Sequence, residues 1–126
     1  MGEILFRGKC LSSNEWVYGY YRVYKGTHKI FELETNIEID VDGSTVGRYI
    51  DIKDFKGADL FEGDLIKHPN QDEIGVIRYD KFGSQFRIFY SIQSCIPNCH
   101  IGLQVGKKGM ARCIGNIHDN PKLAPS

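Results

Sequence analysis

Apolar and polar residues alternate along this chain in short runs separated by glycine and turn formers, a spacing that predicts strands rather than helices. The first run is Ile4-Leu5-Phe6-Arg7. The second, Glu15 to Tyr24, follows the turn formers Ser12-Ser13-Asn14. Its period of two puts Trp16, Tyr18, Tyr20, Arg22 and Tyr24 on one face and Val17, Gly19, Tyr21 and Val23 on the other. A third run, Lys29 to Leu33, follows Lys25-Gly26-Thr27. Val41-Asp42-Gly43-Ser44 predicts a turn before a strand from Thr45 to Ile52. A charged turn, Lys53-Asp54-Phe55-Lys56-Gly57, leads to Leu60–Lys67, where Gly63-Asp64 divides two apolar pieces before Pro69 ends the strand. Ile74 to Asp80 and Gln85 to Ser91 form a predicted hairpin across Lys81-Phe82-Gly83-Ser84. Ile101 to Val105 and Arg112 to Ile117 complete the set, and the tail from Asp119-Asn120-Pro121 reads as a turn and a frayed end. Only Ala58–Phe61 and Ser91–Ile96 could hold a turn or two of helix. About eight to ten short strands with turns at this spacing predict a small all-β barrel or sandwich.

Composition supports a folded domain. With 126 residues, 41% hydrophobic and 25% charged, the chain has the size and make-up of a single globular unit. Seven Tyr, seven Phe and one Trp add to the strand preference. Sixteen basic residues balance sixteen acidic ones. The region up to Gly57 carries eight Lys/Arg and nine Asp/Glu, and the remainder carries eight and seven. Neither part has a strong field, which disfavours a dedicated binder of polyanions. The start, Met1-Gly2-Glu3-Ile4-Leu5-Phe6-Arg7, has no apolar stretch of signal-peptide length and no myristoylation pattern. No run reaches the roughly 18 apolar residues of a membrane span. The expectation is a cytoplasmic protein, away from membranes, with Cys10, Cys95, Cys99 and Cys113 as free thiols.

Three groups of residues could carry chemistry. Cys95, Cys99 and His100, with Cys113 further on, approach a metal-ligand set, but Cys113 lacks a partner beside it and no Cys-x-x-Cys is present. Small buried or loop cysteines are the expectation, with no metal and no cofactor. Asp59, Glu62 and Asp64 crowd one segment, where acids beside a glycine more often shape a turn than act as an acid–base pair. His28 and His118, in or beside turn sequences, are expected in solvent. The face of Trp16, Tyr18, Tyr20 and Arg22 is the third group. It could stack single-stranded nucleic acid, but such a stripe is more often half of a core or a subunit contact. Lys107-Lys108 with Arg112 is a small basic cluster, read as a solvated loop. No nucleophile elbow, phosphate loop or zinc-protease motif occurs, and the chain is expected not to be an enzyme.

Several stretches in order resemble the YopX family, small proteins encoded mainly by bacteriophages and prophages. Ile4-Leu5-Phe6-Arg7-Gly8-Lys9 and Glu15-Trp16-Val17-Tyr18-Gly19-Tyr20 are similar to that family's start. Val41 to Tyr49 and Asp59-Leu60-Phe61-Glu62-Gly63-Asp64-Leu65-Ile66-Lys67 resemble its central block. Gly75 to Asp80 matches a later strand, and Ile114-Gly115-Asn116-Ile117-His118-Asp119-Asn120-Pro121-Lys122-Leu123 resembles its closing signature. Ile50-Asp51-Ile52 departs from the family's usual Thr-Gly-Leu ahead of Lys-Asp, and the cysteine cluster is outside its pattern. The resemblance implies an all-β fold with an SH3-like barrel over the later strands. The expectation is a single β domain over residues 1–126, within which an N-terminal sub-region could cover 1–57 and a barrel sub-region 58–120. The resemblance implies no activity and no catalytic residues. The resulting expectation is an uncharacterised phage-derived accessory protein that works through protein–protein contacts. Its partner would be a host or phage protein, or a second copy, with Trp16, Tyr18, Tyr20 and Arg22 as the contact surface. A nucleic-acid-binding module is the alternative.

Overall fold

The computed structural model describes residues 5–68, 72–81, 85–90, 99–100 (backbone alone) and 111–124. Those residues form ten strands and one 3-10 turn, with no α-helix among them. The all-β class holds. Two compact units divide between Tyr49 and Ile50. Among the described residues no helix is long and apolar enough to cross a membrane.

In the first unit β1 (Phe6–Cys10), β2 (Trp16–Tyr24), β3 (Thr27–Glu32) and β4 (Ile37–Lys53, which runs on past the unit) pair in sequence. β4 then returns to β1, so that within this unit each strand has two partners. The division of labour along β4 explains its length. Ile37–Asp40 pairs with β3, and Val41–Arg48 pairs with β1. Within the stretch paired to β1 lies the predicted turn at Val41–Ser44, which the structure builds as a bulge inside the strand. Asp42 Oδ1 accepts hydrogen bonds from Ser44 N at 3.0 Å and Ser44 Oγ at 2.8 Å. Thr45 Oγ1 donates to the Asp42 carbonyl and accepts from Lys9 N. The turn chemistry of Asp-Gly-Ser is obeyed, but the extra residues bend a continuous strand instead of ending it.

The β2–β3 connection is Lys25-Gly26, with φ of 48° and 80°. Two positive φ values in a two-residue loop make the turn whose twist matches the flanking strands. Val17, Ile30 and Val41 form the buried centre of this unit, with Phe6, Cys10, Tyr21, Ile39 and Val46 around it.

The second unit holds β5 (Asp59–Phe61), β6 (Asp64–Lys67), β7 (Ile74–Asp80), β8 (Gln85–Phe89), β9 (Cys99–His100) and β10 (Arg112–Asn116). β5 hydrogen-bonds to β4, while the others form a sheet in the order β10-β6-β7-β8-β9. The β7–β8 hairpin is antiparallel as expected, from Val76 opposite Phe89 to Asp80 opposite Gln85. Leu60, Ile66, Ile77, Ile88, Tyr90 and Ala111 make the core. Residues 58–61, one of two places that could have held a turn of helix, include β5: Leu60 and Phe61 are both buried, which a short strand with apolar neighbours achieves. The other predicted helical turn, Ser91–Ile96, and the strand at Ile101–Val105 lie outside the described residues.

Two polar knots close this unit. Buried Asp54 accepts from Lys56 N and Ala58 N through Oδ1 and from Cys113 N through Oδ2, tying the 54–58 turn to β10. Asn116 Oδ1 accepts from His118 N and Asp119 N, and its amide donates to Asp119 Oδ2. The closing segment thus hydrogen-bonds to itself, as buried polar groups must.

Candidate functional site

The alternation in β2 sorts its side chains as far as Tyr21, beyond which both faces are exposed, Val23 included. Val17 and Gly19 are buried, while Tyr18, Tyr20 and Tyr24 are 47%, 38% and 49% exposed. The aromatic face is therefore turned to solvent and is not half of the core. Trp16 is half-buried at one end, because two cations lie over it. Arg7 Cζ is 4.6 Å and Lys9 Nζ 5.4 Å from its ring centroid. This follows from register, since antiparallel pairing sets Lys9 opposite Trp16 and Arg7 opposite Tyr18. At the other end Arg22 Cζ and Lys25 Nζ each lie 5.4 Å from the Tyr24 ring. Cations in these positions are attracted by the negative face of the ring.

Arg22 is also held from a strand the sequence reading left out. Its Nε and Nη2 donate to the two carboxylate oxygens of Glu38, at 2.5 and 2.7 Å. One strand position away, Lys29 Nζ donates to Asp40 at 2.6 Å. The guanidinium–carboxylate fork lowers the Glu38 carboxyl below its ordinary value and raises Arg22 further, chiefly through that hydrogen bond. Glu38 and Asp40 belong to the alternating Ile37-Glu38-Ile39-Asp40-Val41, a period-two signal that could have placed them.

A cleft of about 300 Å³ opens beside this face, lined by Leu5, Tyr18, Gly19, Glu32, Leu33 and Glu34. Gly19 is opposite Glu32 in the β2–β3 pairing, and a Cβ at Gly19 would run into the Phe31 carbonyl. Only glycine permits this close approach of the two strands. Glu32 is fixed by Thr35 Oγ1, which donates to its Oε1 at 2.8 Å.

The remaining predicted residues are scattered. Asp64 Oδ2 accepts from Phe61 N at 2.8 Å and Asp59 pairs with Lys53, so these acids serve a turn and a surface ion pair. His28 is not in solvent as expected: it is half-buried in β3, its Nδ1 2.6 Å from Tyr21 Oη and its ring stacked on that tyrosine. Strand pairing sets it opposite Val23 of β2, within reach of the Tyr21 ring. His118 is half-buried as well. Cys10 and Cys113 are free thiols. Cys10 Sγ is 3.3 Å from Ser12 Oγ, and hydrogen bonding from Ser12 and Ser13 lowers its pKa from 9.0 to about 7. Cys95 and Lys107-Lys108 lie outside the described residues, as do the side chains of Cys99 and His100. Among the described residues no group of three His, Cys, Asp or Glu is clustered for a metal.

Comparison with curated proteins finds no match. The model of the YopX protein family matches residues 5–124, from the start of β1 to the closing 3-10 turn, and the chain belongs to that family.

Proposed function

We propose that this protein is a non-catalytic accessory protein that docks a partner protein on the outer face of β2, through Trp16, Tyr18, Tyr20 and Arg22. The carrying observation is that the face's tyrosines stand in solvent on a strand whose other side packs into a core at Val17 and Tyr21. Large exposed aromatics beside an arginine are the composition of binding hot spots. The charges favour a protein over a nucleic acid. Arg22 and Lys29 are neutralised by Glu38 and Asp40, and the rings at both ends of the face already carry cations of the protein's own. Stacking bases there would mean displacing those cations from the rings. The non-catalytic reading is supported by the use of Asp54 and Asp64 as acceptors for backbone amides.

The setting we infer, from the resemblance of the family to phage and prophage proteins, is the bacterial cytoplasm. The SH3-like reading of the later strands is supported by their order, a meander β6-β7-β8-β9 whose last strand, β10, returns beside the first.

A photo-crosslinking residue in place of Tyr20, in cells that carry the gene, tests the reading. The expected product is a discrete protein adduct that weakens with Tyr18→Ala. An adduct of twice the chain's mass makes the partner a second copy. An adduct removed by nuclease, or none, overturns the proposal.

A further inference from the structure

The cleft beside Tyr18 has a chemistry of its own. Its walls are apolar at Leu5, Leu33 and the Gly19 backbone, Tyr18 adds an aromatic ring, and among the described residues Glu32 and Glu34 are the charged groups along it. The space is at the low end of ligand pockets, which run from roughly 300 to 1,000 Å³, and suits one long side chain rather than a folded element. A phosphate-bearing ligand would be repelled by the acids. An apolar side chain would leave them without a counter-charge. A long aliphatic stem ending in a cation satisfies both halves at once: the stem covers the leucines, and the head meets the carboxylates, with tyrosine as a further source of attraction. Glu32 is preorganised for this role by its bond to Thr35, and a carboxylate has room for more donors than one hydroxyl.

We infer that the cleft lined by Leu5, Tyr18, Gly19, Glu32, Leu33 and Glu34 receives an arginine or lysine side chain presented by the partner protein. This rests on the reading of the β2 face as a protein contact, and it gives that partner a basic residue placed to reach past Tyr18.

The full-length chain, titrated with N-acetyl-arginine amide and followed by its amide NMR spectrum, tests the inference. The expected result is a saturable shift confined to Gly19 and the 32–34 segment, weakening with added salt. Glu32→Gln with Glu34→Gln should reduce the affinity about tenfold while the rest of the spectrum stays dispersed. N-acetyl-norleucine amide, which has the stem without the charge, should bind much less. No shift with the arginine probe, equal shifts with both probes, or indifference to the glutamine substitutions would each overturn the inference. So would through-space contacts from residues 1–4 to Tyr18 and Leu33 before any probe is added, because the chain's own start would then be the occupant. The crosslink at Tyr20 reads the face and the titration reads the cleft, so a failure of one is told apart from a failure of the other.

Discussion

Two serine hydroxyls facing one thiol change what that thiol does near neutral pH. With its pKa lowered to about 7 by Ser12 and then Ser13, Cys10 is half thiolate at a pH where an ordinary cysteine is almost wholly protonated. Alkylation of Cys10 by iodoacetamide, followed by peptide mapping, should therefore reach half its maximal rate near pH 7. Ser12→Ala should move that midpoint upward. A midpoint unchanged by the substitution would mean that the hydroxyl is not the cause. Asp54 is the residue-scale counterpart in the second unit, with one carboxylate serving three backbone donors. Asp54→Ala should cost about 3 kcal/mol, since buried amides lose a charged acceptor. Asp54→Asn should recover part of that loss, because its amide keeps a single acceptor oxygen. Thermal denaturation of both variants checks the order. Asp54 could be read as a turn former from its neighbours, but its bond to Cys113, 59 residues away, could not.

Individual strands were legible wherever period-two alternation stood between turn formers. β2 and β7 match their predicted spans to within a residue, because Ser12-Ser13-Asn14 and the stop at Lys81 mark their ends. β4 was misjudged for a local reason. Asp42-Gly43-Ser44 forms the hydrogen bonds of a turn, and pairing with β1 on both sides of it keeps the strand going. Only the nonlocal partner decides between a turn and a bulge. That error also hid Glu38 and Asp40, so the aromatic face was predicted without the carboxylates that neutralise it. The Arg22–Glu38 fork has a pH signature. Glu38 is held below its unfolded value, so its contribution is complete above that unfolded value and disappears as pH falls through the lower, folded one. The Glu38 carboxyl carbon, titrated by NMR, should show a midpoint below the ordinary glutamate value. In Arg22→Ala the midpoint should return upward; an unchanged midpoint would show that the fork does not form in solution.

At the scale of the molecule there are two separate apolar centres, one around Val17, Ile30 and Val41 and one around Leu60, Ile66, Ile77 and Ile88. Large-to-small substitutions at fully buried isoleucines cost about 2–5 kcal/mol. Ile30→Ala should accordingly raise amide hydrogen exchange most in residues 5–49, and Ile77→Ala most in the residues from 50 onward. Uniform acceleration from either substitution would mean that the centres open as one. Apolar spacing alone could not show that the core is divided, since it marks which residues are buried but not which of them meet. The β2–β3 hairpin has a practical consequence of its own. Trp16 to Glu32 is one uninterrupted stretch, turned by Lys25-Gly26, and it supplies the tyrosines, Arg22 and Lys29 together. On the proposal that the β2 face is the contact, the hairpin is portable: grafted onto a stable foreign hairpin of the same register, those seventeen positions would carry the aromatic row to a protein with no ancestry in common, while the cations of β1 and the carboxylates of β4 that hold its ends would have to be supplied by the host.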